Sequence, residues 1–494
     1  MKLDKLLSKV DYQLVYGSVD VDITTLVFDS RKITKGSVFV CMIGVRQDGH
    51  DYIDKAIEMG AVAIVIEKEI EFSHNNITLI STASTRKALA EMSAAYFDYP
   101  ALKLKTIGIT GTKGKTTTAY MVHSILENAG LRTGLIGTIE TIIGDEVIPA
   151  NNTTPESYYV QEYFHKMVLA GCDCVVMEVS SQGLMLYRVG GIMFDFGIFT
   201  NLEPDHIGPG EHKDFEEYTA CKAKLFSQCK VGILNADDSH LEEILKGHTC
   251  IVETYGLSEK ADLRATNIDL HNKDGNLLVT YDLSGLIDLN VQVNIPGKFT
   301  VYNSLTAIAI CRHFNIPVDR MKEALLMVKV KGRVEPVAIS KRFTLMIDYA
   351  HNAMSLDSVL STLREYHPNR LVCMFGCGGN RSRDRRFEMG EISSNKADLT
   401  VVTSDNPRYE EPQAIIDDII VGVNRGSGKY VAISDRKEAI RYCIVNAQDG
   451  DVILLAGKGH EDYQEICGQK YHMDERELIR DILDEMTTIE RARL

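Results

Sequence analysis

Residues 110–117 run Thr110-Gly111-Thr112-Lys113-Gly114-Lys115-Thr116-Thr117. Glycines between a strand and a helix let backbone N–H groups face a phosphate at the helix start. From such a loop Lys115 can reach the β- and γ-phosphates of a nucleotide, and the Thr116 hydroxyl can ligate Mg²⁺. The longer pattern G-x-x-x-x-G-K-[ST] would need Gly at position 109, where Ile109 stands, so only the shorter G-x-x-G-K-T core is met. An ordinary glycine-rich turn is the competing reading.

Two further polar groups follow apolar runs. Glu178 closes Val175-Val176-Met177, and Asp205-His206 come after Phe199-Thr200-Asn201-Leu202. The carboxyl ends of parallel strands line one edge of a sheet. Lys115 with Thr116, Glu178 and His206 could therefore meet there as a divalent-metal and ATP site. Taken singly, an acid at a strand end is commonly a solvated cap, and a lone histidine is more commonly not a ligand.

These groups need elements to hold them. An apolar run at 105–110, the glycine loop and an amphipathic pattern at 116–129 make a strand, loop and helix. Further runs at 134–136, 174–179, 196–200 and 231–235, with helical patterns between them, predict a mostly parallel sheet. Upstream, residues 1–100 carry strand-like runs at 26–29, 37–43 and 61–66 and helical patterns at 52–59 and 85–96, ending at Tyr99-Pro100. Alternation over 261–295 around Asp274-Gly275 reads as an antiparallel hairpin. Beyond 331–336, strands at 344–348, 370–375, 399–403 and 452–456 alternate with helices. The fold class is thus α/β in three domains: 1–100, a central P-loop-type ATPase domain at 101–334 with a mostly parallel sheet, and a C-terminal Rossmann-like domain at 335–494.

Composition narrows the function. At about 150 residues per domain, 494 residues suit about three domains. Lys plus Arg number 54 against 69 Asp plus Glu, a net charge of -15, which argues against a general nucleic-acid binder. No apolar run approaches the ~20 residues of a membrane span. Residues 1–10, MKLDKLLSKV, lack the apolar stretch and cleavage site of a signal peptide. The eleven cysteines form no disulfide or zinc framework; the close pairs Cys172/Cys174 and Cys373/Cys377 lack partner pairs. Free thiols in a reducing cytoplasm are expected.

Several more segments stand in order along the chain. They are Asp29-Ser30-Arg31-Lys32 followed by Gly36-Ser37-Val38-Phe39-Val40, Asn152-Thr153-Thr154-Pro155-Glu156, Glu178-Val179-Ser180-Ser181 with Arg188-Val189, and Thr200-Asn201-Leu202 with Asp205-His206. Then come Gly332-Arg333-Val334-Glu335, Asp348-Tyr349-Ala350-His351, Phe375-Gly376-Cys377-Gly378-Gly379, Asp405-Asn406-Pro407-Arg408 and Gly457-Lys458-Gly459-His460-Glu461. With the 111–117 loop, these segments resemble the Mur ligases, the ATP-dependent amide synthetases of peptidoglycan precursor assembly, over essentially the whole chain. The resemblance is greatest to their MurE branch, which adds the third residue of the stem peptide.

The resemblance implies a ligase that adds meso-diaminopimelate to UDP-N-acetylmuramoyl-L-alanyl-D-glutamate through an acyl phosphate, with ATP and Mg²⁺. It implies a cytoplasmic enzyme working on small molecules, and a monomer is expected. The three domains would bind the UDP-sugar, ATP and the amino acid in turn. Lys115, Glu178, His206 and Lys222 would be catalytic. Gly111, Thr112, Lys113, Gly114, Lys115, Thr116, Thr117, Asn303, Arg333 and Asp348 would bind ATP. Thr116, Glu178, His206 and Lys222, the last as a carbamate, would hold Mg²⁺. Lys224 lies close enough that the carbamate assignment could slip, and either lysine could be an exposed helix residue.

Ser30, Asn152, Thr153, Thr154, Ser180 and Arg188 resemble contacts to the UDP-sugar-peptide. Arg386, Asp405, Asn406, Pro407, Arg408, Gly457 and Glu461 resemble contacts to the amino acid. Arg408 would pair with the carboxylate that distinguishes diaminopimelate from lysine; a surface arginine after a proline turn is the bland alternative. Some positions depart from the family pattern: 207–212 after His206, Gln182, Leu186, 352–354 after His351, and 380–384. They leave open the same chemistry with L-lysine or another amino acid, or a folylpolyglutamate- or cyanophycin-type synthetase.

Overall fold

A computed structural model describes residues 1–44, 47–208, 210–273, 275–487 and 491. The chain forms two compact units, 1–262 with 306–316, and 263–305 with 317–494.

The first unit holds two sheets. The smaller has the strand order Gln13–Tyr16, Thr78–Ser81, Ala63–Ile66, Ser37–Val40, Thr25–Val27, parallel except at the first pair. Ala63–Ile66 and Ser37–Val40 are buried along their whole length, as expected of parallel strands covered on both faces. Helix Thr85–Tyr96 packs Ala88, Leu89, Met92 and Ala95 against this sheet, and the Ser84 side chain caps its start.

The larger sheet of this unit runs Ile251–Gly256, Cys229–Asn235, Phe194–Phe199, Lys105–Thr110, Cys174–Glu178, Thr133–Ile136, Glu140–Ile143, Glu146–Pro149. The first six are parallel and the last two turn back as an antiparallel meander. Lys105–Thr110 lies between Cys174–Glu178 and Phe194–Phe199, so the glycine loop, Glu178 and Thr200-Asn201 leave the sheet at three neighbouring strand ends. Ile109 is a fully buried strand residue, paired across to Glu178 and Ile198. A glycine there would serve no loop, which is why the longer phosphate-loop pattern is not met.

In the second unit, residues 263–293 form a three-stranded antiparallel meander, Leu263–Lys273, Asn276–Gly285 and Leu289–Val293. The alternation reads correctly as a hairpin but stops one strand short, and Asp274 lies outside the described residues. A six-stranded sheet follows in the order Glu335–Pro336, Thr344–Asp348, Asp451–Ala456, Arg370–Phe375, Leu399–Val402, Lys429–Ala432, parallel except at the first pair. Tyr463–Ile466 and Gln469–His472 make a separate hairpin. Among the described residues no helix is long and apolar enough to cross a membrane. All eleven cysteines are free thiols, ten of them buried.

Candidate functional site

The glycine loop folds tightly onto the neighbouring strand end. Gly111 has φ +144°, and a Cβ there would sit 1.9 Å from Thr200 Oγ1. Gly114, at φ +85°, caps helix Lys115–Asn128. The Lys113 backbone N–H donates to Asn201 Oδ1 at 2.9 Å, and Thr200 Oγ1 donates to the Lys113 carbonyl at 2.7 Å. The Lys113 side chain turns outward to Glu203 at 2.6 Å. Thr112 Oγ1 lies 3.0 Å from the Tyr218 hydroxyl, and Thr117 is buried in the first helical turn. Lys115 Nζ donates to the Gly111 and Thr112 carbonyls at 2.9 and 3.1 Å. An ammonium is thereby placed at a helix N-terminus, where an anion is favoured.

Glu178, 1% exposed, closes its strand beside this loop. It accepts from Thr116 Oγ1 at 2.9 Å, from the Thr138 N–H at 2.8 Å and from Thr138 Oγ1 at 3.1 Å. Its hydrogen-bond donors are thus neutral. A buried carboxylate next to a hydroxyl is a donor set that suits Mg²⁺, which takes few protein ligands. Among the described residues no group of three or more His, Cys, Asp or Glu could hold a metal by itself.

Lys222 is 2% exposed, on helix Phe215–Ala223, whereas Lys224 is exposed. Its Nζ donates to the Gly111 carbonyl at 2.7 Å and lies 4.5 Å from the centre of the Tyr218 ring. Burial, and then the nearby Lys115 charge, hold its pKa well below the ordinary lysine value. The neutral amine is the form that reacts with CO₂. His206 has a left-handed backbone (φ +55°), an exposed ring and Nδ1 2.9 Å from Glu211 Oε1.

One cleft of about 170 Å³ is lined by Lys115, Lys222 and His206 together with Asn152, Thr153, Thr154, Ser180 and Arg188. Thr154 Oγ1 donates to the Glu178 carbonyl at 2.9 Å and accepts from the Ser180 N–H at 2.9 Å. Arg188 Nη1 donates to the Thr154 carbonyl at 3.1 Å. Ser30 is not in this cleft. It begins the short helix Ser30–Lys32, capped by Asp29, and faces a separate cleft of about 630 Å³ with Phe28, Gln47, Tyr52 and Lys55.

Two residues to which the sequence patterns assign no role support groups in or beside the first cleft. Thr138 binds Glu178, and only its place just after a short buried strand could have signalled it. His212 is fully buried, with Nε2 2.9 Å from Ser181 Oγ and its ring against Tyr218. Burial lowers its pKa and favours the neutral ring.

The remaining candidates belong to the second unit. Asn303 is buried on helix Phe299–Arg312. The Arg333 guanidinium lies 5.2 Å from the Tyr349 ring centre. Asp348 accepts from the Val334 and Ala350 N–H groups at 2.7 and 2.8 Å, and burial raises its pKa. Its carboxylate therefore braces the loop that carries Arg333. The His460 ring lies tilted against Tyr349, with 4.6 Å between ring centres, and its pKa is pushed down to about 4 by burial and by Arg333.

The 405–408 motif sits in a dense polar mesh. Buried Lys458 donates to Asn406 Oδ1 at 2.9 Å, to Glu461 Oε2 at 2.8 Å and to the Tyr463 carbonyl. Asn406 Nδ2 donates to Glu461 Oε2 at 3.0 Å. Gly457 packs on Asp405, and Gly379 on the Pro407 carbonyl, where a Cβ would come within 2.0 Å. Arg408 has φ +51° and pairs with Glu465. Arg386, its side chain 2% exposed, donates to Glu410 at 2.8 Å and to Asp418 at 3.0 Å. Glu410, Asp418 and Glu465 are partners that the motifs do not announce, and Lys458 stands in the 457–461 motif without a role assigned to it.

Comparison with known proteins adds a second line. Three family models match: "Mur ligase family, catalytic domain" over residues 22–97, "Mur ligase middle domain" over 109–311, and "Mur ligase, glutamate ligase domain" over 332–459. The chain is 44% identical over 489 residues to UDP-N-acetylmuramoyl-L-alanyl-D-glutamate--2,6-diaminopimelate ligase 1 of Clostridium acetobutylicum, covering 98% of this chain and 100% of the relative. It is 43% identical to the Bacillus licheniformis UDP-N-acetylmuramoyl-L-alanyl-D-glutamate--2,6-diaminopimelate ligase, over 97% of this chain and 99% of that one. A solved structure of a ligase of the same name superposes with a TM-score of 0.73 at 26% identity, covering 98% of this chain and 99% of the other.

Proposed function

The chain belongs to the Mur ligase family, and from that premise we propose that it joins meso-diaminopimelate to UDP-N-acetylmuramoyl-L-alanyl-D-glutamate at the expense of ATP. The observation that carries this reading is the first-unit cleft. There Lys115 and Lys222 share one volume with Thr153, Thr154, Ser180 and Arg188. A phosphoryl donor and a carboxylate acceptor must meet in such a space.

A free carboxylate is a poor electrophile, so ATP supplies the leaving group. An oxygen of the D-glutamyl carboxylate bonds to the γ-phosphorus as the bond from that phosphorus to the β–γ bridging oxygen breaks, and ADP departs. The acceptor amine nitrogen then bonds to the acyl carbon and gives up a proton. The carbon–oxygen bond to phosphate breaks, and inorganic phosphate leaves. Little covalent work falls to the protein; its share is alignment and charge. Lys115 and the loop N–H groups orient and neutralise the phosphates. Arg188, held by Thr154, and the hydroxyls of Thr153 and Ser180 bind the anionic sugar-peptide.

The neutral Lys222 amine adds to CO₂ and loses a proton, which turns a buried neutral group into an anion. Glu178, Thr116, His206 and the Lys222 carbamate would then hold Mg²⁺, which when bound neutralises phosphate charge. The ten buried thiols support a reducing, cytoplasmic setting, and the enzyme would act there as a monomer.

The test is incubation with ATP, Mg²⁺ and the UDP-muramoyl dipeptide, with meso-diaminopimelate, L-lysine or no amino acid. Product mass and phosphate release are the readouts. Product with diaminopimelate alone is expected. Product with lysine, or phosphate release without any acceptor, would overturn the proposed substrate.

A further inference from the structure

The hairpin formed by Tyr463–Ile466 and Gln469–His472 grips Arg408 at both backbone and side chain. The Arg408 N–H donates to the Glu465 carbonyl at 3.0 Å, and the Arg408 carbonyl accepts from the Cys467 N–H at 2.7 Å. Arg408 Nε donates to Glu465 Oε2 at 3.0 Å, and Nη1 donates to the Gly379 carbonyl at 2.7 Å. The Glu465 N–H donates in turn to Asn406 Oδ1 at 2.9 Å. One hairpin residue is thus bonded to two members of the 405–408 motif.

A guanidinium carries five N–H donors in one plane and takes a carboxylate with two of them together. Here Nε is committed to Glu465 and one Nη1 hydrogen to Gly379. One Nη1 hydrogen and both Nη2 hydrogens remain, so the Nη1–Nη2 edge still has donors for a carboxylate. We propose that Glu465 is a positioning and specificity-determining residue, which locks Arg408 so that this edge receives the distal carboxylate of a diamino dicarboxylic acid. An acceptor with only an ammonium at that end would meet a fixed cation. The inference rests on the reading that Arg408 faces the amino-acid substrate. Without the Glu465 carboxylate the long Arg408 side chain regains its rotamers, while the backbone bonds at 408 remain.

Steady-state kinetics of the full chain with meso-diaminopimelate and L-lysine test this. Glu465→Ala should raise KM for diaminopimelate about tenfold and lower the diaminopimelate-to-lysine ratio of kcat/KM by a similar factor. KM for ATP and for the UDP-muramoyl dipeptide should stay put, which general loosening of the fold would not allow. Glu465→Gln keeps an acceptor for Nε and should recover most of the loss. If the alanine variant does not fold, Glu465→Met fills the space without an acceptor and carries the same expectation. KM and ratio within twofold of the parent, or a glutamine variant as impaired as the alanine one, would overturn the role of Glu465. Failure of the parent to use diaminopimelate would instead remove the reading beneath it. Loss of selectivity in Arg408→Ala but not in the Glu465 variants would remove this inference alone.

Discussion

The first-unit cleft and the cluster around the second-unit 405–408 motif both gather charged side chains, but they dress them differently. Glu178 takes its hydrogen bonds from threonines, and Lys222 rests on a carbonyl and an aromatic face. In the second unit Arg386, Arg408 and Lys458 each meet a carboxylate. Neutral partners leave a charge to act on what enters, which suits phosphoryl transfer. Ionic partners fix a charge in place, which suits telling one amino acid from another.

The sharpest attack on this contrast is Lys115→Ala. It should lower kcat by about 10³-fold or more while the thermal midpoint stays near the parent's; acceptor-dependent phosphate release and calorimetry check it. Lys222→Ala should cost somewhat less, about 10²-fold, and small carboxylates should restore part of the rate by standing in for the carbamate. The parent should also slow when CO₂ is stripped, and more so as the pH falls and the amine takes up a proton. If Lys222→Ala is silent, the cleft does not depend on that group.

In the second unit, Arg408→Ala should reduce kcat/KM for diaminopimelate by about 10²-fold and leave KM for ATP unchanged. Asp418→Ala leaves the buried Arg386 with Glu410 as its one carboxylate partner and should destabilise this unit by about 2 kcal/mol in denaturant titrations. The smallest effect concerns acid. Arg383, and then Arg386, hold the Asp418 pKa below its ordinary 3.8, and Arg386 does the same to Glu410 from 4.5. Because both folded-state values are depressed, their stabilisation is present above those ordinary values. It fades as pH falls through the depressed ones. Unfolding followed from pH 6 to pH 3 should show that loss, weakened by salt.

The same contrast explains what could be read from the chain. The phosphate loop is contiguous, so Gly111 to Thr117 announce themselves, and the strands 105–110, 344–348 and 370–375 emerge from apolar runs with the bounds seen in the fold. Thr138 escapes notice because a threonine after a strand is common and only the folded sheet brings it to Glu178. The partners of Arg408 and Arg386 lie 57 and 24 residues away, on the terminal hairpin and beside Pro412–Val423. No local periodicity links them. The Tyr463–Ile466 and Gln469–His472 hairpin is short, polar and solvent-facing, so it lacks the alternation that marks a strand with one buried face. Burial likewise separates Lys222 from Lys224, two positions that sequence spacing leaves equivalent.

The left-handed backbone at Arg408 limits which residues could take its place. At φ +51° a β-branched residue is a steric outlier, whereas asparagine, aspartate and glycine sit there with less strain. A randomised library at position 408, sorted for folding alone, should therefore return those residues and lose valine, isoleucine and threonine before any substrate is offered. The residues open to position 408 are filtered first by a torsion angle and only then by chemistry.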